Sequence, residues 1–449
     1  MTTPQRMKRT ISLWGAVATL IGFVIGATVF ILPAELASQT GPAVVISFAI
    51  ASLMAVFSCF VGAQIGVMFP VSGASFIASS RLTTPFIGFI YMWLVLAGVV
   101  IGIAVVALGF AHYFNELVPG LNPQFVAVLV VLLFGGLNLL GAQASVTAQG
   151  IMVAIFMLVL FVFTAFGSSY VESDLLSPFM PKGFSAVLSA AIPAYFSYIG
   201  FQIIIEIGGE VKQPSKNIPL ALLISFLVVL VTYIGVSLVI VGIIDWQELG
   251  QTSAPFTLIA EKIMPSGVSK IISLTVLAAA ASSINGLLFG FSRDVMMLSK
   301  VGLFPKALGK VSVKSGEPVN GVITLTLLAV FTLLLGGSIT DYVIVTVLGI
   351  MFGQILLGWS VLKIPKKMSV SYQKSDFKLG SFFLPFFAYG LMIFSSVFLV
   401  VGIYSSTKSF LVASVILLLG SIYFCLRNRY LKLHNIDVVK AIEIESSHI

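Results

Sequence analysis

Long apolar runs alternate with short polar breaks along almost the whole chain. Runs of membrane length fall at 12–36, 42–68, 85–114, 123–142, 147–168, 184–208, 219–243, 268–292, 319–337, 340–363, 381–405 and 409–426. The stretch 319–363 is divided at Gly336-Gly337-Ser338, with Asp341 behind. A bilayer crossing takes about 20 apolar residues. The pattern therefore predicts an all-α integral membrane protein of about 12 transmembrane helices. Two runs are interrupted from within. In the first, Ile21-Gly22-Phe23-Val24-Ile25-Gly26-Ala27-Thr28 places two glycines four apart, and each weakens a helix interior by about 1 kcal/mol relative to alanine. In the sixth, Ile192–Gln202 mixes Pro193, Ser197, Gly200 and Gln202. A break at bilayer depth frees backbone groups that lipid cannot satisfy, so it persists only inside protein or along a cavity. Small residues four apart also let helices approach closely. Matching breaks in two halves of a chain point instead to a binding site between the halves.

Composition sharpens this picture. The 449 residues are 59% hydrophobic and 9% charged, against about 25% charged in a soluble domain. The net charge of +8 raises the question of nucleic acid, but its distribution answers it. With the N-terminus inside, inner segments hold 20 of the 24 Lys and Arg residues; Lys182, Lys262, Lys270 and Lys408 fall outside. The asymmetry predicts an even number of spans with both termini cytoplasmic. Topology and anionic inner-leaflet lipid explain the basic charge, and no nucleic-acid partner is required. The first run is of membrane length and is followed by others, so it reads as a retained helix and not a signal peptide. Cys59 and Cys425 lie in apolar runs far apart and read as buried thiols, not a disulfide. The outer segment 245–265 has room for a short surface helix, and 428–449 reads as a cytoplasmic tail.

Three motifs carry a family resemblance. Ile21–Pro33, containing Gly26-Ala27-Thr28-Val29-Phe30, resembles the first-helix signature of the amino acid–polyamine–organocation (APC) transporters. Phe196–Gln202, followed by Gly209-Glu210-Val211-Lys212-Gln213-Pro214, is similar to their sixth helix and the loop after it. Ser292-Arg293 through Gly302-Leu303-Phe304-Pro305 to Gly316-Glu317-Pro318 is similar to their connection between helices eight and nine. The resemblance covers nearly the whole chain. It implies one transporter domain, 1–449, with a LeuT-type 5+5 inverted repeat: 11–168 and 184–363 as the repeats, then 381–427 as two added helices. The first and sixth helices would be broken, with substrate between their centres.

On that fold both inner helix starts aim partial positive charge and free N–H groups at the midplane, where a carboxylate binds well. Gly26, Ala27 and Thr28 are then expected to hold a carboxylate, and Ile21, Phe196 and Ser197 to offer carbonyls to an ammonium. Gly22, Tyr198, Gly200 and Gln202 complete the expected substrate-binding set. The family role of an aromatic at Phe196 implies a gate. Two departures are visible. The family carries a smaller triplet where this chain has Gly26-Ala27-Thr28, and many proton-coupled members carry a fifth-helix lysine where Phe156 lies here.

Apart from Asp341 at the edge of its run, the acidic residues inside the runs are Glu35 and Glu206. A carboxylate there is costly and is a functional candidate by default. Glu206 is the candidate protonation or cation site; a structural partner for a nearby polar group is the plainer reading. Asn285 makes the eighth run polar, and Arg293-Asp294 reads as a structural pair. No metal cluster, nucleotide loop or nucleophile grouping stands out, so no metal, no cofactor and no enzyme activity is expected. The leading expectation is a secondary transporter of amino acids, neutral ones first, in the plasma membrane, acting as a monomer or loose homodimer. Uniport, exchange and proton symport stay open. The alternatives are a polyamine or organic-cation transporter of the same fold, and a channel or receptor that does not transport.

Overall fold

The structure, a computed structural model, describes residues 9, 11–139, 142–252, 254–265, 267–312 and 317–446. Among the described residues the regular structure is helical, apart from one isolated β-bridge between Ile11 and Val211. In order the helices are α1 (Leu13–Val24), α2 (Thr28–Thr40), α3 (Val44–Met68), α4 (Ala74–Leu82), α5 (Pro85–Leu117), α6 (Pro123–Asn138), α7 (Ala142–Gly167) and α8 (Gly183–Tyr195). Then come α9 (Ile203–Glu206), α10 (Pro214–Ile243), α11 (Trp246–Leu249), α12 (Pro255–Ile263), α13 (Val268–Lys300), α14 (Val319–Leu334) and α15 (Ile339–Val361). The last are α16 (Ile364–Lys367), α17 (Ser369–Lys374), α18 (Phe383–Ser405), α19 (Thr407–Leu433) and α20 (Val438–Ser446).

Helix boundaries follow local chemistry. Thr84 accepts from the Ile87 N–H (3.4 Å) ahead of Pro85, and Asn122 accepts from the Gln124 N–H (2.8 Å) ahead of Pro123. Both are N-caps followed by a proline whose missing N–H costs nothing at the first helical position. Ser338 accepts from the Asp341 N–H (3.0 Å) and starts α15, so the chain divides where Gly336-Gly337-Ser338 predicts.

Nine helical stretches among the described residues are long and apolar enough to cross a membrane; one, Leu13–Met68, contains both α1–α2 and α3. Shorter apolar helices are Pro123–Asn138 and Val319–Leu334. Burial separates the centre from the rim. In α5, 83% of the most apolar window is buried, against 22% in α19, so α5 is a central post and α19 faces outward. The post packs against α13 and α15, while α10 packs against α1 and α3. The rim exposes large apolar side chains, among them Leu227, Val231, Leu411 and Leu418. Such a surface suits lipid and not water. The molecule is a multi-pass membrane protein.

Two segments depart from the sequence pattern. α4 is absent from the predicted runs, yet Ala74 to Ser80 are all buried. In 245–265 the expected short surface helix is α11, with Gln247 and Glu248 exposed, but a second helix, α12, is largely buried: Phe256 is 1% exposed and packs edge-on to Phe30 at 4.8 Å. Cys59 is buried as expected, but Cys425 is an exposed thiol on α19.

Candidate functional site

The first interruption is a short turn. α1 ends at Val24 and α2 begins at Thr28, with Gly26 between them at φ +40°. That left-handed value is where an L side chain is strained. A Cβ at Gly26 would also collide with the Ser283 hydroxyl. Side chains close the turn. Thr28 donates its hydroxyl proton to the Ile25 carbonyl (2.9 Å) and shares a second bond with the Tyr233 hydroxyl (2.6 Å); Tyr233 also reaches the Ile25 carbonyl (3.4 Å). No side chain caps the start of α2.

The second interruption is not an unwound gap. Phe196–Gln202 is a seven-residue 3-10 helix between α8 and α9, with Pro193 one turn before it. The 3-10 form keeps i→i+3 bonds, so fewer backbone groups are released here than at Gly26. The two interruptions touch: a Cβ on Gly200 would lie 2.9 Å from Val24 Cγ2 and 3.2 Å from the Phe23 carbonyl carbon.

A cavity of about 60 Å³ opens where they meet. Thr28, Phe196, Gly200 and Gln202 line it, joined by Phe23, Val24 and Ile25. α5 adds Val95, Gly98, Val99 and Gly102, α13 adds Ser283 and Leu287, and α15 adds Thr346 and Ile350. The lining holds no charged side chain. Phe196 faces bare backbone, its Cζ lying 3.6 Å from where a Gly102 Cβ would stand. Gln202 closes one end: its Nε2 donates to Ser58 Oγ (3.4 Å) and its Oε1 accepts from the Tyr91 hydroxyl (3.5 Å).

The other residues singled out from the sequence lie outside the lining. Ile21 is buried, and its carbonyl accepts from the Ile25 N–H (2.9 Å), continuing the helix. Gly22 packs on α7, where a Cβ would lie 2.5 Å from Val153 Cγ2; its carbonyl accepts from Ser283 Oγ (3.5 Å). The close-packing reading therefore suits Gly22, and the break suits Gly26. Ala27 is fully buried in the turn. Ser197 is fully buried beside Tyr233. Tyr198 points to α3, donating to the Phe48 carbonyl (3.3 Å). Asn285 is bonded by Asn138 (2.8 Å), and Glu35 by Thr340. Glu206 is 1% exposed and accepts from the Ser75 N–H (3.4 Å). Tyr233, Ser283, Tyr91 and the α5 and α15 walls escape the sequence reading. Gly98-x-x-x-Gly102, another small pair within a long helix, is the signal that marks the α5 wall.

Arg293 and Asp294 do not pair with each other. Arg293 donates from Nε to Glu210 (2.9 Å) and from Nη1 to the Phe289 carbonyl (2.7 Å) and Glu317 (3.5 Å), and stacks 3.6 Å above the Phe289 ring. Glu317 lies outside the spans; burial pushes its pKa up, and the Arg293 charge pulls partly against that.

A many-helix membrane protein with a cavity between two interrupted helices has the build of a solute carrier. The amino acid permease family matches it over residues 15–436, and the chain belongs to that family. It is a transporter, not an enzyme. Among its relatives are the branched-chain amino acid permease BcaP of Bacillus subtilis, 27% identical over 70% of this chain and 72% of that protein, and the methylthioribose transporter of the same organism, 28% identical over 68% and 70%. A third is the mitochondrial cationic amino acid transporter 3 of Arabidopsis thaliana, 28% identical over 71% of this chain and 56% of that protein.

Proposed function

We propose that the protein is a secondary transporter that carries neutral, aliphatic amino acids across the plasma membrane by alternating access. In this reading it has twelve spans, cytoplasmic termini and a LeuT-type 5+5 inverted repeat. The observation that carries the substrate class is the charge-free lining of the cavity against the uncapped start of α2. A carboxylate is stabilised by free N–H groups at a helix start, which gives Gly26, Ala27 and Thr28 their role. The ammonium is assigned to the carbonyls of Phe196 and Ser197, which lie in the 3-10 stretch and would each accept a second bond beside their i→i+3 bond, while the Ile21 carbonyl stays within the regular turn of α1. Val95, Val99, Leu287 and Ile350 would surround an apolar side chain. Phe196 is the gate between this cavity and one face of the membrane.

The name of the branched-chain relative agrees with an apolar side chain; the cationic relatives favour a second reading, in which Glu206 attracts a basic substrate. Purified protein in liposomes separates them. Labelled leucine uptake should saturate and be competed by leucine and alanine, and far less by arginine or putrescine. Competition by arginine or putrescine alone would reverse the substrate assignment. Flux rising linearly with concentration would mark a channel.

A further inference from the structure

Two carboxyl groups near the cavity have no part in the neutral amino acid scheme above. Glu206 ends α9, Asp294 lies in α13, and each is 1% exposed. They are neighbours, brought together by the short segment Gly73–Ser75, whose Ser75 N–H donates to Glu206 Oε2 (3.4 Å). Both Asp294 oxygens lack a hydrogen-bond partner, as does the fully buried hydroxyl of Ser75 beside them. The segment leading into α4 straddles the pair. The Gly73 N–H donates to the Glu206 carbonyl (3.1 Å), and a Cβ on Gly73 would stand 3.4 Å from Asp294 Oδ1.

The cation next in sequence does not neutralise them, because Arg293 turns its guanidinium to Glu210, Glu317 and the Phe289 carbonyl. The other titratable groups facing the pair are Tyr91 from α5 and, behind it, Tyr195 from α8. An ionised carboxylate within a membrane protein is costly without a partner, and an acceptor left without a donor adds to that cost. One proton placed between the two carboxyls supplies both.

A polar path leads from the pair to the cavity. Ser75 lies beside Glu206 and Tyr91, Tyr91 donates to Gln202, and Gln202 lines the cavity. The elements involved are those of the site: α9 continues the Phe196–Gln202 stretch, and α13 carries Ser283 against Gly22 and Gly26.

We propose that Glu206 and Asp294 together bind the proton that couples to substrate movement, with Ser75, Tyr91 and Gln202 linking the pair to the cavity. The inference rests on the transporter reading above. One proton enters from the outer side and joins a carboxylate oxygen as an O–H bond. The singly protonated pair, its two carboxyls bridged by that one O–H, holds α4 and α9 against α13. The same proton leaves to the inner side, and the two carboxylates then repel and part the elements. No other bond is made or broken.

The test uses the full-length protein in liposomes with a pH-sensitive dye inside. The wild type should accumulate leucine down an inward proton gradient, with acidification of the lumen in step. Glu206→Gln and Asp294→Asn should each lose gradient-driven accumulation by about tenfold or more, while leucine counterflow at equal pH stays within about twofold. Wild-type uptake indifferent to the gradient, or variants that keep accumulation, would overturn the coupling role. Absent counterflow in the wild type would instead sink the transporter reading. The pair is then tested by infrared difference spectra of purified protein between acid and alkaline pH. A protonated-carboxyl band lost in Glu206→Gln supports the proton site, and no such band overturns it. Should Asp294→Asn fail to fold, Glu206→Gln carries both measurements.

Discussion

At Gly26 two constraints coincide on one residue. Its φ of +40° disfavours any side chain, and the space a Cβ would take is filled by the Ser283 hydroxyl. Strain of about 1–2 kcal/mol corresponds to roughly a five- to thirty-fold loss of the competent state. Gly26→Ala should therefore lower leucine uptake by about that factor or more, and Ser283→Gly in the same chain should restore only part, because the backbone strain stays. Gly22 differs, having helical φ and ψ with only Val153 and Gln149 in the way. Gly22→Ala is a case of overpacking, with a cost of about 1–3 kcal/mol. Val153→Ala should relieve it almost fully. Uptake rates and melting temperatures of the four variants check this. Equal rescue in both pairs would mean that the break is a packing device and not a conformational one.

The α1–α2 turn is held by α10, an element distant in sequence. Tyr233 and Thr28 share a 2.6 Å bond, and both reach the Ile25 carbonyl. Removing one hydroxyl costs about 0.5–1.5 kcal/mol when its partners can still pair. Tyr233→Phe and Thr28→Val should each weaken leucine binding, and the double variant should be no worse than the poorer single one, since the three groups act as a unit. Competition binding in detergent measures all three; simple additivity would show that Tyr233 acts elsewhere. This arrangement also marks where sequence reading stops. Apolar runs, Gly26 and the Gly336–Ser338 division are local signals, and they place most helices and the first break. Tyr233 lies 205 residues from Thr28 and Ser283 lies 261 from Gly22, so no spacing along the chain brings them together. α4 is too short to read as a span, and only its packing against α5 and α9 shows that Ser75 is buried. The 3-10 form of Phe196–Gln202 likewise keeps bonds that the pattern of glycine and proline suggests are lost.

Across the molecule, Arg293 ties α13 to the segment after α9 through Glu210 and to the segment before α14 through Glu317. The backbone carbonyl of Glu210 accepts from the Ile11 N–H (3.0 Å), fastening the segment before α1 to this cluster. Chain segments that must separate if the site opens toward this face are thus held by one guanidinium that is 1% exposed. Removing one partner of such a buried network costs about 3–5 kcal/mol, because the other charges stay behind. Arg293→Ala should lower the melting temperature accordingly. The pH dependence has a definite sign. Burial raises the pKa of Glu317 above its ordinary value while Arg293 lowers it. The stability contributed by protonated Glu317 is complete below the ordinary glutamate pKa and is lost as pH rises through the raised one. Without Arg293 the opposing charge is gone, so the loss extends to higher pH and grows. The gap in melting temperature between wild type and Arg293→Ala should be widest at neutral pH and shrink on acidification, and Glu317→Gln added to Arg293→Ala should remove most of that slope. A gap that does not change with pH would place the instability of Arg293→Ala in lost packing on Phe289, and the network would then hold the face shut by shape and not by charge.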